Sequence, residues 1–169
     1  QARLFAIHDA CPDKDLIVDA NESLTEALLE ELLPVFLKCR VVLIEQPLPE
    51  GKDEALRTWQ SPIPFAADES CHTADGLEAL RGKYAAVNLK LDKTGGLTHA
   101  LEMITAARKL GFRIMVGCMT STSLAIYPAF LLAQAAEDAE FVDLDGALLL
   151  AQDRPGCDKP KFILKGPKI

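Results

Sequence analysis

The chain has 169 residues, 49% of them apolar, enough to bury the core of one globular domain. Its formal net charge is −7, with the charges interspersed, which argues against a basic nucleic-acid-binding stripe and against an acidic tail. No apolar run approaches a membrane span, no N-terminal leader pattern is visible, and five scattered cysteines without a CxxC pair (Cys11, Cys39, Cys71, Cys118, Cys157) read as reduced thiols of a cytoplasmic protein.

Residues 3 to 10 read as the last turns of a helix, and Leu16-Ile17-Val18 as a short strand ending at Asp19. Ser23 and Glu26 form a capping-box pattern, in which the two side chains satisfy exposed amides at a helix start. Leu24, Leu28, Leu32 and Val35 then mark the apolar face of that helix. Val41 to Ile44 is the next strand, ending at Glu45 and stopped by Pro47 and Pro49. A weaker helix is predicted around residues 52 to 60. Phe65-Ala66-Ala67 leads to Asp68, and a short helix from Ala74 to Leu80 ends at Gly82.

The apolar run from Tyr84 to Leu91 carries Lys90 where a core residue would ordinarily sit. Gly95 and Gly96 open a helix whose face is read from Leu97, Leu101 and Ile104 and which closes at Gly111. Arg113 to Val116 is a strand leading into Gly117-Cys118-Met119-Thr120, a helix runs to about Glu137, and Glu140 to Val142 is a last strand before Asp143-Leu144-Asp145-Gly146. Beyond Leu150 the pattern dissolves into a basic, proline-punctuated tail. Residues 1–152 therefore read as one domain and 153–169 as an irregular tail.

Strict alternation of strand and helix predicts an α/β fold with a parallel sheet. A polar residue stands at each strand end (Asp19, Glu45, Asp68, Lys90, Cys118, Asp143), spaced about 25 residues apart, roughly one βα unit. An open doubly wound sheet uses two or three strand ends at one switch point, whereas a (β/α)8 barrel gathers every strand end into one ring. Polar groups at nearly all the ends favour the barrel. About six units do not close one, so the expectation is a partial (β/α)8 barrel.

Three carboxylates at one barrel mouth repel one another, and a hard divalent cation removes the conflict. Oxygen-only ligation suits Mg2+ or Mn2+. A lysine on the next strand, partly buried and near a cation, is expected to lose its proton more readily and to serve as a general base. Metal plus lysine suits removal of a proton alpha to a carboxylate through an enediolate. Each strand-end acid taken alone is more often a helix cap or a loop ion pair; three in successive units followed by a lysine are harder to read that way. Lys93 reads as a solvated loop lysine, His8, His72 and His99 as surface residues, and Cys118 as a packed thiol. Asp143 and Asp145 either cap the following turn or, pointing to one side, bind a cation.

The motifs Val18-Asp19-Ala20-Asn21, Ile44-Glu45-Gln46-Pro47, Ala67-Asp68-Glu69-Ser70 and Asn88-Leu89-Lys90-Leu91-Asp92-Lys93-Thr94-Gly95-Gly96 together resemble the barrel motifs of the enolase superfamily, in particular its muconate-lactonising-enzyme subgroup. Gly117-Cys118-Met119 with Asp143-Leu144-Asp145-Gly146 resembles the dipeptide epimerases, typified by L-Ala-D/L-Glu epimerase. The resemblance covers the chain to about residue 152. It implies Asp19, Glu45 and Asp68 as Mg2+ ligands, Lys90 as the acid/base on one face of the alpha carbon, and Asp143 with Asp145 as the site for a dipeptide's ammonium. It further implies that Cys118, Met119 and Thr120 line the substrate, with Glu69 as a supporting neighbour.

The family carries a Lys-x-Lys before the Asp19 strand and an N-terminal α+β capping domain. Neither lies in this stretch of sequence, so the expectation is a chain that does not epimerise alone. Thr120-Ser121-Thr122 stands where many dipeptide epimerases carry an acidic residue before serine, which leaves the accepted dipeptide open. Alternative readings are o-succinylbenzoate synthase, muconate cycloisomerase or N-acylamino acid racemase, and a catalytically dead metal-binding fragment. Strands left unpaired at open sheet edges would favour a homo-oligomer.

Overall fold

The apolar runs form strands and the stretches between them form helices over residues 1–154, the part of the chain that the computed structural model describes. Most of the expected tail, and Cys157, lie outside those residues. The backbone divides into two compact units, Gln1–Val87 and a second that begins at Asn88.

The first unit contains α1 (Ala2–Ala10), β1 (Leu16–Asp19), α2 (Glu26–Lys38), β2 (Val41–Glu45), β3 (Phe65–Ala67), α3 (Leu77–Leu80) and the first half of β4 (Ala86–Leu89). A short 3-10 turn at Glu54–Thr58 stands where the weaker helix was expected, and the short helix expected over Ala74 to Leu80 is a 3-10 turn, Ala74–Gly76, leading into α3. The strands are ordered β1-β2-β3-β4 and pair in parallel. β2 is almost wholly buried, as a parallel strand covered on both faces must be. Register fixes the level of the strand ends: Val18 pairs with Ile44, Asp19 with Glu45, and Glu45 with Ala66.

The start of α2 differs from the sequence expectation. Its N-cap is Thr25, whose side chain accepts from Leu28 N at 3.2 Å, while Ser23 Oγ donates to Ala20 O at 2.5 Å. No Ser23–Glu26 capping box forms. The buried face is different too. Leu29 and Phe36 are buried, Leu24, Leu32 and Val35 are half-buried, and Leu28 is 37% exposed. This helix carries leucines around much of its circumference, so periodicity could not choose the face.

The second unit holds Asn88 and Leu89 of β4, then α4 (Leu91–Thr94), α5 (Leu97–Leu110), β5 (Arg113–Gly117), α6 (Ser123–Ala135), β6 (Ala139–Asp143) and a 3-10 turn at Gly146–Leu149. Strand order is β4-β5-β6, and β5 and β6 pair in parallel. The single turn α4 was not expected from sequence. Helix α5 ends at Gly111, with φ 80°, as the pattern predicted. Its buried face is Ala100, Met103, Ile104 and Ala107, while Leu97 and Leu101 are exposed. Two small alanines on the inner face leave room for a close neighbour, and an apolar count undervalues them.

Asp153, the first residue of the expected tail, accepts from Ser123 N at 3.1 Å and from Ser123 Oγ. It supplies the start of α6 with an acceptor that the N-cap Thr122 does not provide. Among the described residues no helix is long and apolar enough to cross a membrane. The four described cysteines are free thiols.

The burial pattern of α2 predicts unequal costs at adjacent leucines. Leu29→Ala is expected to lower the unfolding free energy by about 2–5 kcal/mol, and Leu28→Ala by under about 1 kcal/mol. Chemical denaturation of the two variants distinguishes this face from the one read off the sequence.

Candidate functional site

In the first unit the strand ends carry acids. Asp19 closes β1 and Glu45 closes β2 at the same register position, so their side chains leave the same face of the sheet. Asp68 follows the last residue of β3, two positions beyond Ala66, the register partner of Glu45. Glu45 is 2% exposed and Asp68 3%, whereas Asp19 is exposed. The main chain ties the level together: Ala20 N donates to Glu45 O at 3.0 Å and Gln46 N to Ala66 O at 2.9 Å. Asn21 N donates to Asp19 Oδ1 at 2.8 Å, in a turn where Asn21 and Glu22 both have positive φ.

Glu69 reports the charge density there. Withdrawal from water, and then the charges of Asp68, Asp19 and Glu22, push its carboxyl above the usual carboxylate range. Its Oε2 is buried without a hydrogen-bond partner among the described residues. Among those residues, no three His, Cys, Asp or Glu side chains are gathered, as they stand, into a group that could hold a metal ion. In kind, the donor set fits a hard divalent cation: oxygen only, carboxylate, and from three neighbouring strand ends, beside the buried Glu69 Oε2 that has no hydrogen-bond partner among the described residues.

A different acid in this unit is neutralised internally. Asp53 is buried, accepts from Lys83 Nζ at 2.8 Å and from Tyr84 Oη at 2.7 Å, and takes a third hydrogen bond from Ser70 Oγ at 3.1 Å. Burial pulls its carboxyl upward, but Lys83, Tyr84 and Ser70 together hold it below the usual range. Burial, chiefly, pushes the Tyr84 hydroxyl upward.

In the second unit Lys90 follows the last residue of β4 with extended backbone and is half-buried. Gly117 of β5 is the register partner of Asp143 of β6, which sets the two strand ends level. Partial desolvation, and then the charge of Asp145, push the Asp143 carboxyl up, while the Asp145 N–H and the positive charge of Lys90 pull it back. Burial likewise raises the Cys118 thiol, which lies in the fields of Asp143, Asp145 and Lys90. Lys90, Cys118, Asp143 and Asp145 thus share one electrostatic neighbourhood. Met119 is 50% exposed and Thr120 is exposed, both available to a ligand.

Two glycines permit this packing. A Cβ at Gly117 would come within 2.6 Å of Asn88 Oδ1, and one at Gly146 within 2.5 Å of Met119 O. The sequence displays both glycines inside its motifs, but not the contacts that require them. Lys93 is not the solvated loop lysine expected: it is half-buried in α4 and donates to Asn88 O at 3.2 Å. His8 is half-buried rather than on the surface; His72 and His99 are exposed as expected. Cys118, expected as a packed thiol, is half-buried, whereas Cys39 and Cys71 are buried.

The model of the enolase C-terminal domain-like family matches residues 1–157. The chain is 54% identical over 153 residues to an N-acetyl-D-glutamate racemase of Pseudoalteromonas sp, covering 90% of this chain and 48% of that one. It is 49% identical over 151 residues to the L-Ala-D/L-Glu epimerase of Escherichia coli, covering 89% and 46%. Among solved structures, a dipeptide epimerase from Methylococcus capsulatus, complexed with Mg and the dipeptide L-Arg-D-Lys, superposes with a TM-score of 0.84 at 32% identity, covering 90% and 45%. The chain spans about half the length of the curated relatives it matches.

The crowding of Asp143 and Asp145 has a pH consequence. A carboxyl raised in the folded state costs stability once ionised, fully above its folded pKa and not at all below its unfolded one. Asp143→Asn is therefore expected to raise the unfolding midpoint modestly at neutral pH, with the gain vanishing as the pH falls below the usual carboxylate range. Denaturation of both proteins across that range checks the sign.

Proposed function

This chain belongs to the enolase C-terminal domain-like family, and from that premise we propose that it is part of a Mg2+-dependent dipeptide epimerase. The observation that carries the reading is the shared neighbourhood of Lys90, Asp143 and Asp145. A basic group and a pair of anions suit one small zwitterionic molecule. Lys90 takes the alpha proton from one face of the C-terminal residue, or returns it there. Asp143 and Asp145 hold the free ammonium: two adjacent carboxylates repel each other, and a bound cation relieves both. Cys118, Met119 and Thr120 contact the substrate.

Asp19, Glu45 and Asp68 are the residues that would hold Mg2+, or Mn2+, which accepts the same oxygen donors. The bound cation would supply positive charge to the substrate carboxylate and so lower the cost of removing the neighbouring proton. The solved relative complexed with Mg and a dipeptide supports the reading.

A second reading is favoured by the racemase relative at 54% identity: racemisation of an N-acylated amino acid. Such a substrate carries no ammonium and leaves Asp143 and Asp145 without a charge to bind. The two readings therefore separate on the substrate's amino end.

Replacing Lys90 with alanine in the intact protein is expected to lower both epimerisation and exchange of the alpha proton with solvent deuterium by about 10²–10⁴-fold. Normal turnover in that variant would overturn the base assignment. Turnover of free L-Ala-L-Glu is expected to exceed that of N-acetyl-glutamate, and Asp143→Asn or Asp145→Asn to raise KM for the dipeptide alone. Preference for the acetylated substrate, with KM unmoved by these substitutions, would transfer the assignment to the racemase reading.

A further inference from the structure

The sequence singles out Glu45 and passes over its neighbour. Gln46 is fully buried, at 0% exposure, and its φ of 32° lies in the left-handed region that a glutamine enters only when its surroundings hold it there. Its hydrogen bonds show what holds it. The main-chain N–H donates to Ala66 O on β3 at 2.9 Å, and the carbonyl accepts at 2.9 Å from Glu22 N, in the turn that follows Asp19. The side-chain Oε1 accepts from Asp68 N at 2.9 Å and from Ser70 N at 3.1 Å.

The amide nitrogen has two hydrogens and three acceptors within reach: Leu48 O at 2.9 Å, Ser70 Oγ at 2.9 Å and Tyr84 Oη at 3.0 Å. The hydroxyls of Ser70 and Tyr84 pass the chain on to Asp53, which Lys83 neutralises. Gln46 is thus joined to each of the three segments that end in Asp19, Glu45 and Asp68: covalently to Glu45, through its carbonyl to the turn after Asp19, and through its side chain to Asp68 N and Ser70 N on both sides of Glu69.

We propose that Gln46 is a positioning residue for the carboxylate set, fixing where Asp68 stands against Glu45 and thereby setting the affinity of those acids for a divalent cation. The proposal rests on the reading of Asp19, Glu45 and Asp68 as the cation's ligands. Only a primary amide of this length meets the demands of the place. Two main-chain N–H groups require an oxygen, and Leu48 O requires a donor. A methionine fills the volume but leaves Asp68 N and Ser70 N without their acceptor. A glutamate keeps the acceptor and loses the donor.

The test is Mn2+ binding to the intact protein, read by electron paramagnetic resonance, beside the thermal midpoint. Gln46→Met is expected to weaken Mn2+ binding about tenfold or more, the loss typical when groups that orient metal ligands are removed. Tyr84→Phe removes the far end of the network and leaves Oε1 with both its N–H partners. It is expected to lower the midpoint and keep the affinity within about twofold. Gln46→Met binding like the wild type, or both variants losing affinity in proportion to stability, would overturn the positioning role. Should Gln46→Met fail to fold, Gln46→Glu decides. It is expected to hold Mn2+ within about threefold at a lower midpoint, and a tenfold loss there overturns the proposal. A wild-type protein that binds no Mn2+ overturns the ligand assignment itself, and the positioning role with it.

Discussion

Like charge brought out of water is the constraint that the first unit is arranged around. Parallel register sets Asp19 opposite Glu45, and Asp68 follows directly on the end of the neighbouring β3. Two of these acids are almost fully buried, so solvent screens their repulsion poorly. The consequence is visible in Glu69, whose carboxyl is pushed upward by burial and by Asp68, Asp19 and Glu22 in turn. Holding such a set in place falls to the main chain. The turn after Asp19 enters positive φ at two successive residues, and Gln46 does so after Glu45. Strain of this kind persists only where surrounding hydrogen bonds over-determine it, and the Gln46 network does so here.

The second unit treats its acids differently. Asp143 and Asp145 are exposed, so water, the Asp145 N–H and the field of Lys90 moderate their repulsion. Close packing is spent on the loops around them instead. Gly146 lies so near Met119 O that any side chain there would collide with backbone, and with the Cys118 sulfur beside it. Gly117 leaves comparable room for Asn88. Both glycines hold strand-end loops against one another, which is how a short Asp-Leu-Asp-Gly segment comes to share its surroundings with a lysine distant in sequence.

The strands were legible because a polar residue ending an apolar run is conspicuous, and that same feature marked Asp19, Glu45, Asp68, Lys90 and Asp143. The helix faces were not. In α2 the leucines outnumber the places the core offers, so the choice of Leu29 and Phe36 over Leu28 waits on packing against the sheet. In α5 the inner face is half alanine, whose value lies in the close approach it permits. Short-range hydrogen bonding was equally hidden. Ser23 and Glu26 spell a capping box, yet Thr25 takes the cap and Ser23 turns back to Ala20. Lys93 differs from Lys90 only in context, and its bond to Asn88 O depends on a helical turn that the glycine pair obscured.

Burial alone does not separate a structural acid from one proposed to bind a cation. Asp53 is as buried as Glu45. It is met by a lysine and two hydroxyls, which overcome the cost of burial and hold its carboxyl below the usual range. Such an acid is satisfied, and its work is to anchor Ser70 and Tyr84, the hydroxyls that Gln46 also contacts. Glu69, only half-buried, goes the other way: its neighbours are acids, one of its oxygens lacks a donor among the described residues, and its carboxyl is held up. Opposite directions in two carboxyls joined through Ser70 separate an acid neutralised by its own scaffold, Asp53, from one set among other acids, Glu69. That asymmetry, rather than the number of acids, is what distinguishes the strand ends of β1 to β3, proposed above as the cation's ligands, from Asp53.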